Sequence, residues 1–102
     1  MAKTDNIFQL RDGSNLGYAE YGVADGQPVM MFHGLPSSRL EISAFAQDIE
    51  TLLERLNIRL ITPDRAGIGL SDWRPYTIAG YPDEVVELAD YLGIDKFGVI
   101  GV

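Results

Sequence analysis

The sequence predicts an α/β fold built on a mainly parallel sheet. Three observations predict it. Apolar runs at Val29-Met30-Met31-Phe32, from Ile58 to Thr62 and from Phe97 to Val102 read as strands covered on both faces. Amphipathic helical patterns lie between them. In front of them stands a pair of short strand-like segments joined by a turn signal.

The elements follow in chain order. Ile7 to Arg11 reads as a strand closed by Asp12-Gly13-Ser14-Asn15, and Leu16 to Tyr21 as its partner. So few turn residues separate them that an antiparallel hairpin follows. Gly22 to Pro28 is a second loop, turning at Asp25-Gly26. After the first apolar run, Phe45, Ile49, Leu52, Leu53 and Leu56 fall on one helix face. Ser38 with Glu41 offers a capping box, Ser43 an alternative cap, and Asn57 a left-handed stop. After the second run, Ile78, Tyr81, Val85, Leu88, Ala89 and Leu92 share a face. Thr77 suits the cap of this helix, Pro82 fits only near its start, and Gly93 suits its end. Strands joined through helices imply right-handed crossovers in a parallel sheet. The expected architecture is a hairpin followed by β-α-β-α-β.

Composition narrows the function classes. The chain has 102 residues, a formal charge of −7 and no cysteine. An acidic balance without a basic cluster argues against nucleic acid or an anionic membrane as partner. Absence of cysteine removes disulfides, thiolate catalysis and cysteine metal sites. No apolar run approaches the roughly 20 residues of a membrane span. The polar start, Met-Ala-Lys-Thr-Asp-Asn, lacks the apolar stretch of a signal peptide, so a cytoplasmic location is expected.

In open α/β sheets, ligands bind outside the carboxyl ends of the strands. The first parallel strand is followed by His33-Gly34-Leu35-Pro36-Ser37-Ser38. The second is followed by Asp64-Arg65-Ala66-Gly67-Ile68-Gly69-Leu70-Ser71-Asp72. The third runs into Gly101-Val102. Together, from about Leu16 to Val102, these segments resemble the α/β-hydrolase fold family. His33-Gly34-Leu35-Pro36 is similar to its His-Gly-x-Pro turn. Asp64 to Asp72 is similar to its Asp-Arg-x-Gly-x-Gly-x-Ser-Asp segment, and Gly101-Val102 to the approach to a nucleophile elbow.

The resemblance implies the N-terminal half of that fold, with strand order 1-2-4-3-5. It implies that the backbone N–H of Leu35 is one oxyanion donor, the other lying after the nucleophile. Gly34 lets the backbone approach the substrate, and Pro36 stiffens the loop. Leu35 and Pro36 border the substrate pocket. His33, the single histidine, is expected to support this loop, since the family's catalytic histidine lies near the C-terminus. Ser37 and Ser38 are read as capping and loop residues. Gly67 and Gly69 permit a sharp turn; a dinucleotide fingerprint would need a third glycine. Asp64 and Arg65 are expected to support that turn through a local ion pair or hydrogen bonds. Trp73 is a pocket wall or a packed aromatic. The acids Asp83, Glu84, Glu87 and Asp90 form a solvated face.

A Ser-His-Asp mechanism cannot be assigned within these residues. By resemblance, the nucleophile, expected to be Ser, follows Val102, and the acid and histidine lie beyond it. Residues 1–102 are therefore expected to be the N-terminal portion of one hydrolase domain, its C-terminal half missing or present as a second chain. The end at Val102 reads either as a simple boundary or as self-cleavage, in which the elbow hydroxyl attacks the preceding carbonyl. The expected reaction is hydrolysis of a small ester or related acyl substrate, with no metal or organic cofactor. Rivals are an epoxide hydrolase or dehalogenase with an Asp nucleophile, a proline-iminopeptidase-like enzyme, and a non-catalytic protein of this fold that binds a ligand.

Overall fold

A computed structural model of the chain describes residues 3–33, 38–40, 42, 48–64, 68–72 and 81–101. The elements are β1 (Lys3–Gln9), β2 (Asn15–Gly22), β3 (Gln27–Phe32), α1 (Ile49–Leu56), β4 (Ile58–Pro63), α2 (Tyr81–Tyr91) and β5 (Gly98–Gly101). The strands form a single sheet in the order β1-β2-β4-β3-β5. This is the expected α/β architecture and the expected strand order. β1 and β2 pair antiparallel, as do β2 and β4, while β3 is flanked by β4 and β5 in parallel.

Local chemistry sets most boundaries. The hairpin turn places Gly13 at φ 90, and Asp12 Oδ1 accepts the Ser14 N–H at 2.8 Å. Leu10 leaves the ladder to close this turn, its N–H donating to the Ser14 carbonyl. The first strand therefore ends at Gln9 instead of Arg11. It begins at Lys3 because polar residues pair through their main chain opposite Tyr18 and Glu20. α1 stops at Asn57, which adopts the expected left-handed conformation at φ 54. Gly93, just past α2, stands at φ 72. Ser38 Oγ accepts the Leu40 N–H, a loop contact. The expected partners in helix capping, Glu41, Ser43 and Thr77, lie outside the described residues, as do Phe45 and Ile78.

A core lies on each face of the sheet. On one side Leu16, Tyr18, Met30 and Ile61 pack with Val85, Leu88 and Ala89 of α2. On the other, Ala19, Tyr21, Met31 and Leu60 pack with Leu53 of α1. The buried stripe of α1 is narrower than its sequence pattern: Leu53 is buried, but Leu52 and Leu56 are 50% and 57% exposed. The helix rests on β2 and β4 through Leu53 and half-buried Ile49, which turns its Leu52–Leu56 flank outward. The acids of α2 are likewise not uniformly solvated. Glu87 accepts the Arg11 N–H at 2.8 Å, tying α2 to the hairpin turn. β5 completes the described sheet with Val99 and Ile100 largely exposed. No helix among the described residues is long and apolar enough to cross a membrane.

Candidate active site at the carboxyl ends of the parallel strands

The parallel register brings distant segments together. Phe32, the last residue of β3, lies opposite Gly101, the last of β5. The chain entering the His-Gly-x-Pro segment thus starts beside the chain entering the elbow approach. His33 follows β3 and is buried. Gly34, Leu35, Pro36 and Val102 lie outside the described residues, as do Ser37, Arg65, Gly67 and Trp73.

Asp64, the residue after β4, is the electrostatic centre of this edge. It has no exposed surface, a position a carboxylate holds only with compensating donors. Its Oδ1 accepts the Arg39 N–H at 2.7 Å. Its Oδ2 accepts Arg39 Nη1–H at 3.1 Å and the Leu70 N–H at 2.9 Å. These bonds join the segment after β3 to the turn after β4. Asp64 thus supports its turn as expected. Among the described residues its ion-pair partner is Arg39, 25 positions away; Arg65, the neighbour in sequence, lies outside them.

The same point is tied to β2. The Asp64 N–H donates to the Gly17 carbonyl at 2.7 Å. Ser71 Oγ donates to the Asp64 carbonyl at 3.0 Å and accepts the Gly17 N–H at 2.9 Å. Asp72 Oδ2 accepts the Asn15 N–H at 2.8 Å, and the Asp72 N–H returns to the Asn15 carbonyl. This closeness requires glycine. A Cβ on Gly17 would stand 2.5 Å from Leu70 Cβ. Gly69, at φ 57, would drive a Cβ into the Asp64 carboxylate. Gly69 thus has the turn role its sequence context indicated, whereas Gly17 carried no local signal.

Arg39 is the other residue that local reading passes over. It is the single Lys or Arg between Arg11 and Arg55, and a buried Asp nearby in the fold needs a cation. Its side chain is 8% exposed. Nε donates to the Thr4 carbonyl at 2.5 Å, and Nη2 to Asp5 Oδ1 at 2.9 Å. Its own carbonyl accepts Thr62 Oγ1 at 2.7 Å and the Tyr21 hydroxyl at 3.4 Å.

With both carboxylate oxygens engaged and no contact with solvent, Asp64 braces the turn after β4 against the segment after β3. What the described edge shows is a buried hydrogen-bonded frame that joins β2, the segment after β3 and the turn after β4. Among the described residues, no group of three or more His, Cys, Asp or Glu side chains gathers as metal ligands do. A groove of about 560 Å³ lined by Pro28, Asn57, Lys96 and Gly98 opens at the amino ends of β3 and β5. That is the opposite edge from the one where such sheets bind ligands. Away from both edges, burial raises the Tyr18 hydroxyl pKa above its ordinary 10.0, with the Glu20 charge adding to the effect.

The comparisons with known proteins fit this layout. No protein-family profile matches the chain. It is 31% identical, over 89% of its length, to a cis-3-alkyl-4-alkyloxetan-2-one decarboxylase of Xanthomonas campestris, covering 32% of that protein. Among solved structures it superposes on an esterase from Exiguobacterium antarcticum with TM-score 0.71 and 28% identity, covering 93% of this chain and 34% of the esterase. An epoxide hydrolase matches with TM-score 0.75 and 30% identity, covering 99% of this chain and 33% of that one. The chain spans about a third of the length of the relatives it matches. With its strand order, its register and this likeness, the chain has the α/β-hydrolase fold, in the arrangement of that fold's N-terminal half.

Proposed function

We propose that the chain is the N-terminal portion of a hydrolase domain that cleaves a small ester or related acyl substrate. Its complement is the C-terminal half of the same hydrolase, which carries the triad. The observation that carries this reading is the register of β3 against β5, with Phe32 opposite Gly101. That register supports an arrangement in which the Leu35 N–H and a Ser nucleophile following β5 face one carbonyl. The Ser oxygen attacks the carbonyl carbon, and the oxyanion is held by Leu35 N–H and by the N–H after the nucleophile. The alcohol leaves with a proton from the triad histidine, and water then releases the acid. His33 and Gly34 shape the donor loop, while Leu35 and Pro36 border the substrate. The reaction takes place in the cytoplasm on a small molecule.

A second reading has specific support in the epoxide hydrolase match, where the likeness covers nearly all of this chain. In that reading the residue after β5 is an Asp whose carboxylate opens an epoxide to give an aspartyl ester, which water cleaves to release the diol and restore the carboxylate. The curated relative is named for decarboxylation of an oxetan-2-one, a cyclic ester, which keeps oxygen esters among the substrates proposed for the whole domain. Steady-state turnover by the assembled hydrolase decides between them. Nitrophenyl acetate is expected to be hydrolysed and styrene oxide left intact. Turnover of the epoxide alone would establish the Asp reading, and turnover of neither would remove both.

A further inference from the structure

Strand β1 carries an irregularity that a buried residue holds in place. Lys3 lies opposite Glu20 and Asn6 opposite Tyr18, so Thr4 and Asp5 together face Ala19 alone. Two residues against one make a β-bulge, which takes main-chain groups out of the ladder and bends the strand. Side chains take up those groups here. Arg39 Nε donates to the Thr4 carbonyl at 2.5 Å, and Arg39 Nη2 to Asp5 Oδ1 at 2.9 Å. Asn6 Nδ2 reaches back across the bulge to the Lys3 carbonyl at 2.8 Å. The third arm of the guanidinium, Nη1, is held by the fully buried Asp64. The fork is therefore anchored in the interior and reaches outward to β1. A lysine ammonium could not reproduce this planar fork.

Among the described strands β1 pairs only with β2. Its outer edge is open, and an open edge with regular main-chain groups is a template for another strand. Gly17, opposite Ile7, gives its N–H to Ser71 Oγ and its carbonyl to the Asp64 N–H. Ile7 therefore turns its own N–H and carbonyl to the open edge. Two identical edges related by a two-fold axis beside Ile7 would pair antiparallel. In that pair Asp5 of each copy stands opposite Gln9 of the other, so one bulge interrupts the ladder at both ends.

We propose that Arg39 is a clip: by locking the Thr4–Asp5 bulge, it keeps the edge of β1 from pairing with the same edge of a second copy of the chain. This concerns assembly and is independent of the hydrolase reading.

The complete protein tests it. Deleting Asp5 restores one residue against Ala19 and keeps Lys3 opposite Glu20. In sedimentation velocity, the mass of this variant is expected to rise about twofold over wild type with increasing concentration. Adding Ile7→Pro, which removes the outward N–H, should return it to the wild-type mass. Hydrogen exchange reads the clip itself. In Arg39→Lys the amides of Thr4, Asp5 and Asn6 should exchange about tenfold faster or more, while Phe8 and Leu10 keep their rates. Where neither the deletion nor the lysine variant folds, Asp5→Ala removes only the exposed arm of the fork and should speed the same three amides about threefold. A folded deletion variant at wild-type mass overturns the proposal, as does added mass that survives Ile7→Pro. So does a folded Arg39→Lys whose three amides are unchanged or whose Phe8 and Leu10 accelerate equally. Unchanged rates in Asp5→Ala overturn it where the other two variants do not fold.

Discussion

A carboxylate with no exposed surface survives only where its donors are supplied by the fold, and Asp64 has them from Arg39 and Leu70. Removing it leaves the Arg39 fork buried and short of an anion. Asp64→Ala is expected to destabilise the fold by about 3–5 kcal/mol, measured by urea denaturation. The glycines separate two kinds of cost. Gly13 has φ 90, and a Cβ added there would meet nothing within 4 Å, so Gly13→Ala should cost only the backbone term, about 1–2 kcal/mol. Gly69→Ala adds a collision with Asp64 and should cost about 1–3 kcal/mol more. Tyr18 supplies a pH dependence. Its pKa is raised by burial above the ordinary 10.0, so the folded state holds this proton more tightly than the unfolded state. The stabilisation is complete below pH 10 and is lost as pH rises through the folded-state value. In alkaline denaturation, Tyr18→Phe is expected to blunt that loss. The supporting role of Asp64 was legible because a carboxylate beside a glycine-rich turn has obvious main-chain donors. Arg39 was not, because its pairing spans 25 positions and exists only once β3 and β4 are adjacent. Gly17 was hidden for the same reason: its constraint comes from Leu70, on another segment.

At the level of elements, periodicity located every described strand and helix but not which residues of a pattern are buried. The α1 pattern includes Leu52, Leu53 and Leu56, yet only Leu53 reaches the sheet. Leu53→Ala should cost about 2–5 kcal/mol, against about 0.5 kcal/mol for Leu52→Ala, in paired thermal melts. Equal losses would contradict the packing of α1 described above. Strand ends were legible only where side chains signal them. β1 extends back to Lys3 because its polar residues contribute main-chain hydrogen bonds, to which a hydrophobicity pattern is blind. Glu87 shows the converse. It has the look of a surface acid on a helix, and tertiary proximity to the Arg11 N–H turns it into a tether.

For the whole molecule, the strand order was legible only through the combination of motifs. Hydrophobic runs specify strands, whereas the exchange of β3 and β4 in the sheet depends on how crossovers wind. The His-Gly-x-Pro and Asp-Arg-x-Gly-x-Gly segments, read together, supplied that order. β5 pairs with β3 on one side and carries Val99 and Ile100 largely exposed. The relatives it matches are about three times as long as this chain. In the proposed function, the carboxyl ends of β3 and β5 together frame an acyl-transfer centre. Fluorophosphonate labelling of the assembled hydrolase, followed by peptide mapping, tests it most directly. A single modified Ser on the peptide that follows β5 is the expected result. A label elsewhere, or an unlabelled protein that forms an aspartyl ester during turnover, would contradict it.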